Sequence, residues 1–210
     1  MHGIILAHGK ANAVTNLHKI TWDRYFDSYE ILSPEDDPAF LTNVKTNTRG
    51  LSEHNGLHTL ERQRYAFELA SKHPIAAVIE YDVILLDRLP IPNDMNILAS
   101  QRCEDGQTFV SHWYAHCPWV VTAKTAATIA SYADKFTEAK YGDRWLAAVC
   151  DDAGISHRTL PNSYSPFGGN VHTIHEVRTI KTLVNRNRAL YLHGNKKIPV
   201  SKQIIIEKVL

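Results

Sequence analysis

Residues 74–86 read Pro-Ile-Ala-Ala-Val-Ile-Glu-Tyr-Asp-Val-Ile-Leu-Leu. The run from Ile75 to Ile79 is short, apolar and partly β-branched, and a proline precedes it. Such a run reads as a fully buried central strand. The strand ends on two carboxylates, Glu80 and Asp82, inside the longest apolar stretch of the chain. Burying a carboxylate costs several kcal/mol unless it is paired or bound to a cation. In an extended chain i and i+2 share a face, so both acids can meet one ion. Hard oxygen donors suit Mg²⁺ or Mn²⁺, which also hold phosphates.

Outward from this stretch, strand and helix patterns alternate. Gly3 to Ala7 reads as a buried strand, and part of Ala11 to Phe26 as a helix. Tyr29 to Leu32 is a second strand and 38–56 a loop. Leu57 to Ser71 has helical spacing. Leu89 to Pro92 reads as a turn. Ile97–Ser100, Phe109–Ser111 and Trp119–Thr122 read as strands. Lys124–Lys135 and Asp143–Ala153 read as helices, the second ended by Gly154. His157–Leu160 is extended, Ile174–Arg186 helical and Leu190–His193 a strand. The order predicts a three-layer αβα domain over 1–210 with a mostly parallel sheet. Ligands of such sheets bind beyond the carboxyl ends of the strands.

Composition narrows the field. The chain has 210 residues, 44% hydrophobic and 21% charged, and a net charge of +1. These values exclude a low-complexity or collagen-like chain. No apolar run reaches the ~18 residues of a membrane span, and the N-terminus lacks a basic signal-peptide region. Three cysteines (Cys103, Cys117 and Cys150) at no metal or redox spacing suggest buried thiols in a reducing cytoplasm. From Arg178 to Lys208 there are eight Lys and Arg against one acid, Glu207. That asymmetry fits a phosphate-rich partner or a solvated helix face.

Four further stretches sit where strands end or helices begin. Tyr191-Leu192-His193-Gly194-Asn195-Lys196 offers an imidazole, a glycine for close backbone approach, and a point charge. Gly142-Asp143-Arg144 opens a helix, where Asp143 could serve as an N-cap or a base. Asp151 and Asp152 are poorer bases at the far end of that helix. His112, Trp113, Tyr114, His116 and Trp119 form an aromatic segment that suits either a sugar face or the core. Ala7-His8-Gly9-Lys10 follows the first strand and matches neither a dinucleotide fingerprint nor a P-loop. Asp36 and Asp37 could touch a base or ribose, or be solvated. Arg62, beside Glu61, could reach a phosphate or pair along its helix.

In this order, Glu80-Tyr81-Asp82 followed about 110 residues later by His193-Gly-x-Lys resembles the GT-A glycosyltransferases. The first acid of their DxD motif is here Glu80. The resemblance implies a nucleotide-sugar donor, UDP-linked in the favoured case. It implies Mn²⁺ or Mg²⁺ on Asp82 and His193, with Glu80 on the sugar or ribose. Tyr81, Arg62, His8, Gly9, Lys10 and Lys196 complete the donor side, with Lys196 on the diphosphate. Asp143 becomes the general base of an inverting transfer. His112, Trp113, Tyr114, His116 and Trp119 shape the acceptor side. The layout also resembles viral and trypanosomatid enzymes that glycosylate hydroxymethylpyrimidines in DNA. DNA is therefore the leading acceptor, with a surface glycan or lipopolysaccharide as the alternative. A metal-dependent phosphoesterase and a non-catalytic nucleotide-sugar-binding module are the other readings.

Overall fold

The computed structural model describes residues 1–6, 16–32, 60–81, 83–100, 102–104, 111–136, 138–139, 142–160 and 190–192. Six strands form the main sheet: β1 (His2–Leu6), β2 (Ser28–Leu32), β3 (Ile75–Glu80), β5 (Asn96–Ala99), β8 (Trp119–Thr122) and β9 (Ser156–Thr159), in the order β2-β1-β3-β8-β5-β9. Five run the same way and β8 runs against its neighbours β3 and β5. The sheet is thus mixed and mostly parallel, as the alternating pattern predicts. Among the described residues, four two-residue strands lie outside it. β4 (Ile84–Leu85) pairs with β10 (Tyr191–Leu192), and β6 (Cys103–Glu104) with β7 (Trp113–Tyr114).

Every residue from Gly3 to Leu6 and from Ala76 to Ile79 is buried. Consecutive buried residues point to opposite faces, so both faces of the sheet are covered. The helices are α1 (Asn16–Tyr25), α2 (Leu60–Ala70), α3 (Ala123–Ala130) and α4 (Gly142–Ala153). α1 holds the segment after the Glu80-Tyr81 strand end. Trp22 Nε1 donates to the Val83 carbonyl at 3.0 Å, Tyr25 Oη donates to Leu86 O at 2.7 Å, and Thr21 Oγ1 accepts from Leu85 N at 3.3 Å. Just past α1, Phe26 lies on Gly3, where a Cβ would come within 2.4 Å of its ring. Gly3→Ala should therefore destabilise the fold by about 1–3 kcal/mol, the usual range for overpacking, read from a urea titration.

α3 is shorter than its alanine-rich sequence suggests. It stops at Ser131, whose Oγ donates to Thr128 O at 2.7 Å, and the chain turns before Lys135. α4 ends at Gly154 with φ +66°, a conformation glycine adopts without a Cβ clash. Ser111, expected in a strand, lies just before β7 instead. Phe109 and Val110 lie outside the described residues, as do 38–56 and Ile174–Arg186. Cys117 and Cys150 are buried, but Cys103 is only half-buried, a correction to the expectation for all three. No helix among the described residues is long and apolar enough to cross a membrane.

Candidate functional site

The parallel register brings the carboxyl ends of β1 and β3 together, with Leu6 opposite Glu80. Tyr81 N donates to Leu6 O at 3.1 Å, and Glu80 N to the Cys117 sulfur at 3.4 Å. These bonds fix where the strand stops and where its acid stands. Arg62 reaches the same place from α2 and is 1% exposed. Burial pulls its pKa down to about 10, while Glu80 and Tyr81 oppose that shift. The guanidinium thus stays charged at neutral pH beneath the strand end. It is one of the largest fully buried side chains described.

Asp143 enters from the first turn of α4. The helix already begins at Gly142, so Asp143 is a first-turn residue and not the N-cap. Gly142 packs on buried Gln63 of α2 so closely that a Cβ would overlap its side-chain amide. That contact seats the start of α4 against α2. One Asp143 oxygen accepts from Arg144 N at 2.9 Å, and the other lies 3.7 Å from His116 Nδ1. Burial raises the pKa of Asp143 first and most. His116 and Arg144 pull it down, and Glu80 pushes it up. The result is a carboxyl of raised basicity, next to an imidazole and facing a second acid. Such a group can take a proton from a hydroxyl.

The aromatic segment divides in two. Trp113 and Trp119 are 3% and 2% exposed. Trp113 Nε1 donates to the Asp151 carboxylate at 2.8 Å, and Trp119 Nε1 to Ala115 O at 2.8 Å. Both indoles are core members with their N–H groups satisfied. Tyr114 and His116 are half-buried and meet edge to face at 5.3 Å. The Arg144 guanidinium lies over the Tyr114 ring at 5.2 Å. Tyr114, His116, Asp143 and Arg144 therefore form one patch, while His112 stands exposed. Arg144 was not singled out in the sequence; its signal is adjacency to the candidate base at a helix start. Beneath the patch lies a cavity of about 10 Å³, roughly one water in size, lined by Ile97, Trp113, Trp119, Asp143, Cys150 and His157. Asp151 is taken up by Trp113, and Asp152 lies 3.4 Å from Lys135 Nζ.

Asp82, His193, Lys196, His8, Gly9 and Lys10 lie outside the described residues, as do Asp36 and Asp37. Their described neighbours carry information. β10 pairs antiparallel with β4, Leu192 opposite Ile84 and Tyr191 opposite Leu85. Leu86 N also donates to Leu190 O at 2.9 Å. The residues following Asp82 and those preceding His193 are thus hydrogen-bonded to one another.

No protein-family model matches the chain, and no curated protein matches it in sequence. Solved structures do match in fold. The bifunctional glycosyltransferase WbbM is similar at a TM-score of 0.52 and 12% identity, over 99% of this chain and 49% of that one. The glycosyltransferase GlyE of Streptococcus pneumoniae TIGR4 is similar at 0.49 and 11%, over 100% and 60%. The galactosyltransferase LgtC, solved with donor and acceptor sugar analogs, is similar at 0.48 and 13%, over 95% and 85%. The chain spans about half the length of WbbM. The similarity to WbbM bears on the fold alone, an α/β architecture with a mixed, mostly parallel six-stranded sheet of GT-A-like type.

Proposed function

We propose that this protein is a metal-dependent glycosyltransferase that moves a sugar from a nucleotide diphosphate to a hydroxyl. The observation that carries the proposal is the convergence of Glu80, Arg62 and Asp143 at the carboxyl end of the central strand. The β4–β10 ladder adds support, because it joins the neighbours of Asp82 to those of His193. A divalent ion fits this surrounding. Glu80 and Asp143 raise the local negative charge, and their donors are hard oxygens. Asp82 and His193 would hold Mn²⁺ or Mg²⁺, which supplies charge stabilisation to the departing diphosphate.

The chain's own residues do the rest. Glu80 hydrogen-bonds the sugar or ribose, and the buried Arg62 charge stands beside it. Tyr81, His8, Gly9, Lys10 and Lys196 complete the donor side, Lys196 against the diphosphate. Asp143 takes the acceptor proton as the oxygen attacks the anomeric carbon in line, the inverting course. Tyr114, His116 and His112 border the acceptor. Trp113 and Trp119 shape that border from beneath, through the backbone they anchor.

The donor is tested by thermal shift with UDP- and GDP-sugars, with and without Mn²⁺. A ligand at ~100 times its Kd adds about 2.7 kcal/mol. A metal-dependent shift that disappears in Asp82→Ala is the expected result. No shift with any donor would sink the proposal.

For the acceptor we favour a hydroxymethylpyrimidine in DNA. The support is the basic stretch from Arg178 to Lys208. Phosphate contacts release counterions, so DNA affinity should fall steeply with salt. Salt-independent or absent DNA binding would favour a glycan acceptor.

A further inference from the structure

We propose a second metal site, of zinc type, formed by His2, Glu30 and His73 at the amino ends of the parallel strands. Three separate segments supply it. His2 opens β1, Glu30 lies in β2, and His73 sits in the turn between α2 and β3. All three residues are half-buried, and their ligand atoms lie within 4.8 Å of one another. His2 Nε2 is 3.3 Å from Glu30 Oε1. The His2 and His73 rings stack at 3.7 Å with planes 8° apart. Two donors on a tetrahedral zinc ion stand about 3.4 Å apart, given a Zn–N distance of about 2.1 Å. The cluster is therefore open by at most about 1.4 Å, which rotations of the three side chains would close.

The surroundings favour binding over simple stacking. His2 Nδ1 bonds the Ser28 hydroxyl at 2.8 Å. That bond engages one ring nitrogen and leaves Nε2 toward Glu30. An outer partner of this kind usually orients a metal-bound histidine. The ligand set also separates this site from the donor site. Two imidazoles and one carboxylate suit Zn²⁺, with a fourth position for water, whereas Mg²⁺ prefers oxygen donors. The register places His2 opposite Ser28 and Ala76, and Leu6 opposite Glu80. Four residues of strand, about 13 Å, therefore separate His2 from the donor end. The ion would cross-link β1, β2 and the turn before β3, without touching the transfer chemistry.

The test is Zn²⁺ titration of the metal-free full chain by calorimetry, beside His73→Gln, Glu30→Gln and Asp82→Ala. Circular dichroism verifies that each variant is folded. Parent protein and Asp82→Ala are expected to bind one equivalent that both other variants lack. Saturating Mg²⁺ should not displace it. Co²⁺ in its place should give the visible bands of a four-coordinate site, lost in His73→Gln. Equal stoichiometry in all four proteins would overturn the proposal. So would loss of the same equivalent in Asp82→Ala, which would assign the ion to the donor site.

Discussion

Asp143→Asn should lower the transfer rate by about 10²–10⁴-fold, the usual contribution of a positioned base. The same variant should be more stable than the parent at neutral pH. The sign follows from burial. The folded-state pKa of Asp143 is raised above its ordinary 3.8. Between that value and the folded one, the folded state binds more protons than the unfolded chain. Stability therefore falls as pH rises through this window, and the loss is complete above it. Asparagine cannot ionise, so it removes that loss. It keeps an oxygen to accept from Arg144 N. Melting temperatures at pH 7 and below pH 3.8 decide the matter. The variant's advantage should be present at the first and absent at the second. The parent's rate should climb with pH across the same window, because only the ionised carboxylate accepts the proton. An unchanged rate in Asp143→Asn would remove this residue from the chemistry.

Arg62→Ala should cost about 3 kcal/mol, the low end of the range for removing one partner of a buried charge pair, because Arg62 is fully buried and Glu80 only half-buried. In a chain of this size that is roughly 6–12 °C in Tm. The effect has two parts. A large, fully buried side chain leaves a hole, and Glu80 loses the cation beneath it. Glu80→Gln in the same background should recover part of the loss, because no charge then needs compensation. The double-mutant cycle measures that share. Arg62→Lys should not restore the parent Tm, since an ammonium lacks the planar fork and is harder to bury. Full additivity in the cycle would mean that Arg62 acts by volume alone.

How far these features could be read in advance varied with their length. β1, β3 and α4 are long enough for composition and spacing to declare them, and Glu80 stands at a strand end as expected. The reversed direction of β8 had no signal, because a buried strand looks alike either way. β4, β6, β7 and β10 hold two residues each, too few for a periodicity. The aromatic segment was ambiguous for a chemical reason. An indole serves a sugar face or a core equally well, and only the partners of Nε1 decide. Arg62, beside Glu61, could reach a phosphate or pair along its helix, and its sequence neighbours do not separate the two. Its burial follows from the packing of α2 against the end of β3, beside Glu80 and Tyr81, which no local pattern foretells. The His2, Glu30 and His73 cluster depends on strand register and was equally hidden.

The ladder between β4 and β10 has a consequence in time. All six strands of the main sheet have left the ribosome once Thr159 has emerged, but the partner of Ile84 and Leu85 arrives about thirty residues later. Contacts so distant in sequence close last, after the loop-entropy cost of bringing them together. The nascent chain can therefore complete its main sheet before this ladder closes. A ribosome paused between these two points would carry a protein with its six-stranded sheet complete and the backbone of Ile84 and Leu85 still waiting for its partner strand.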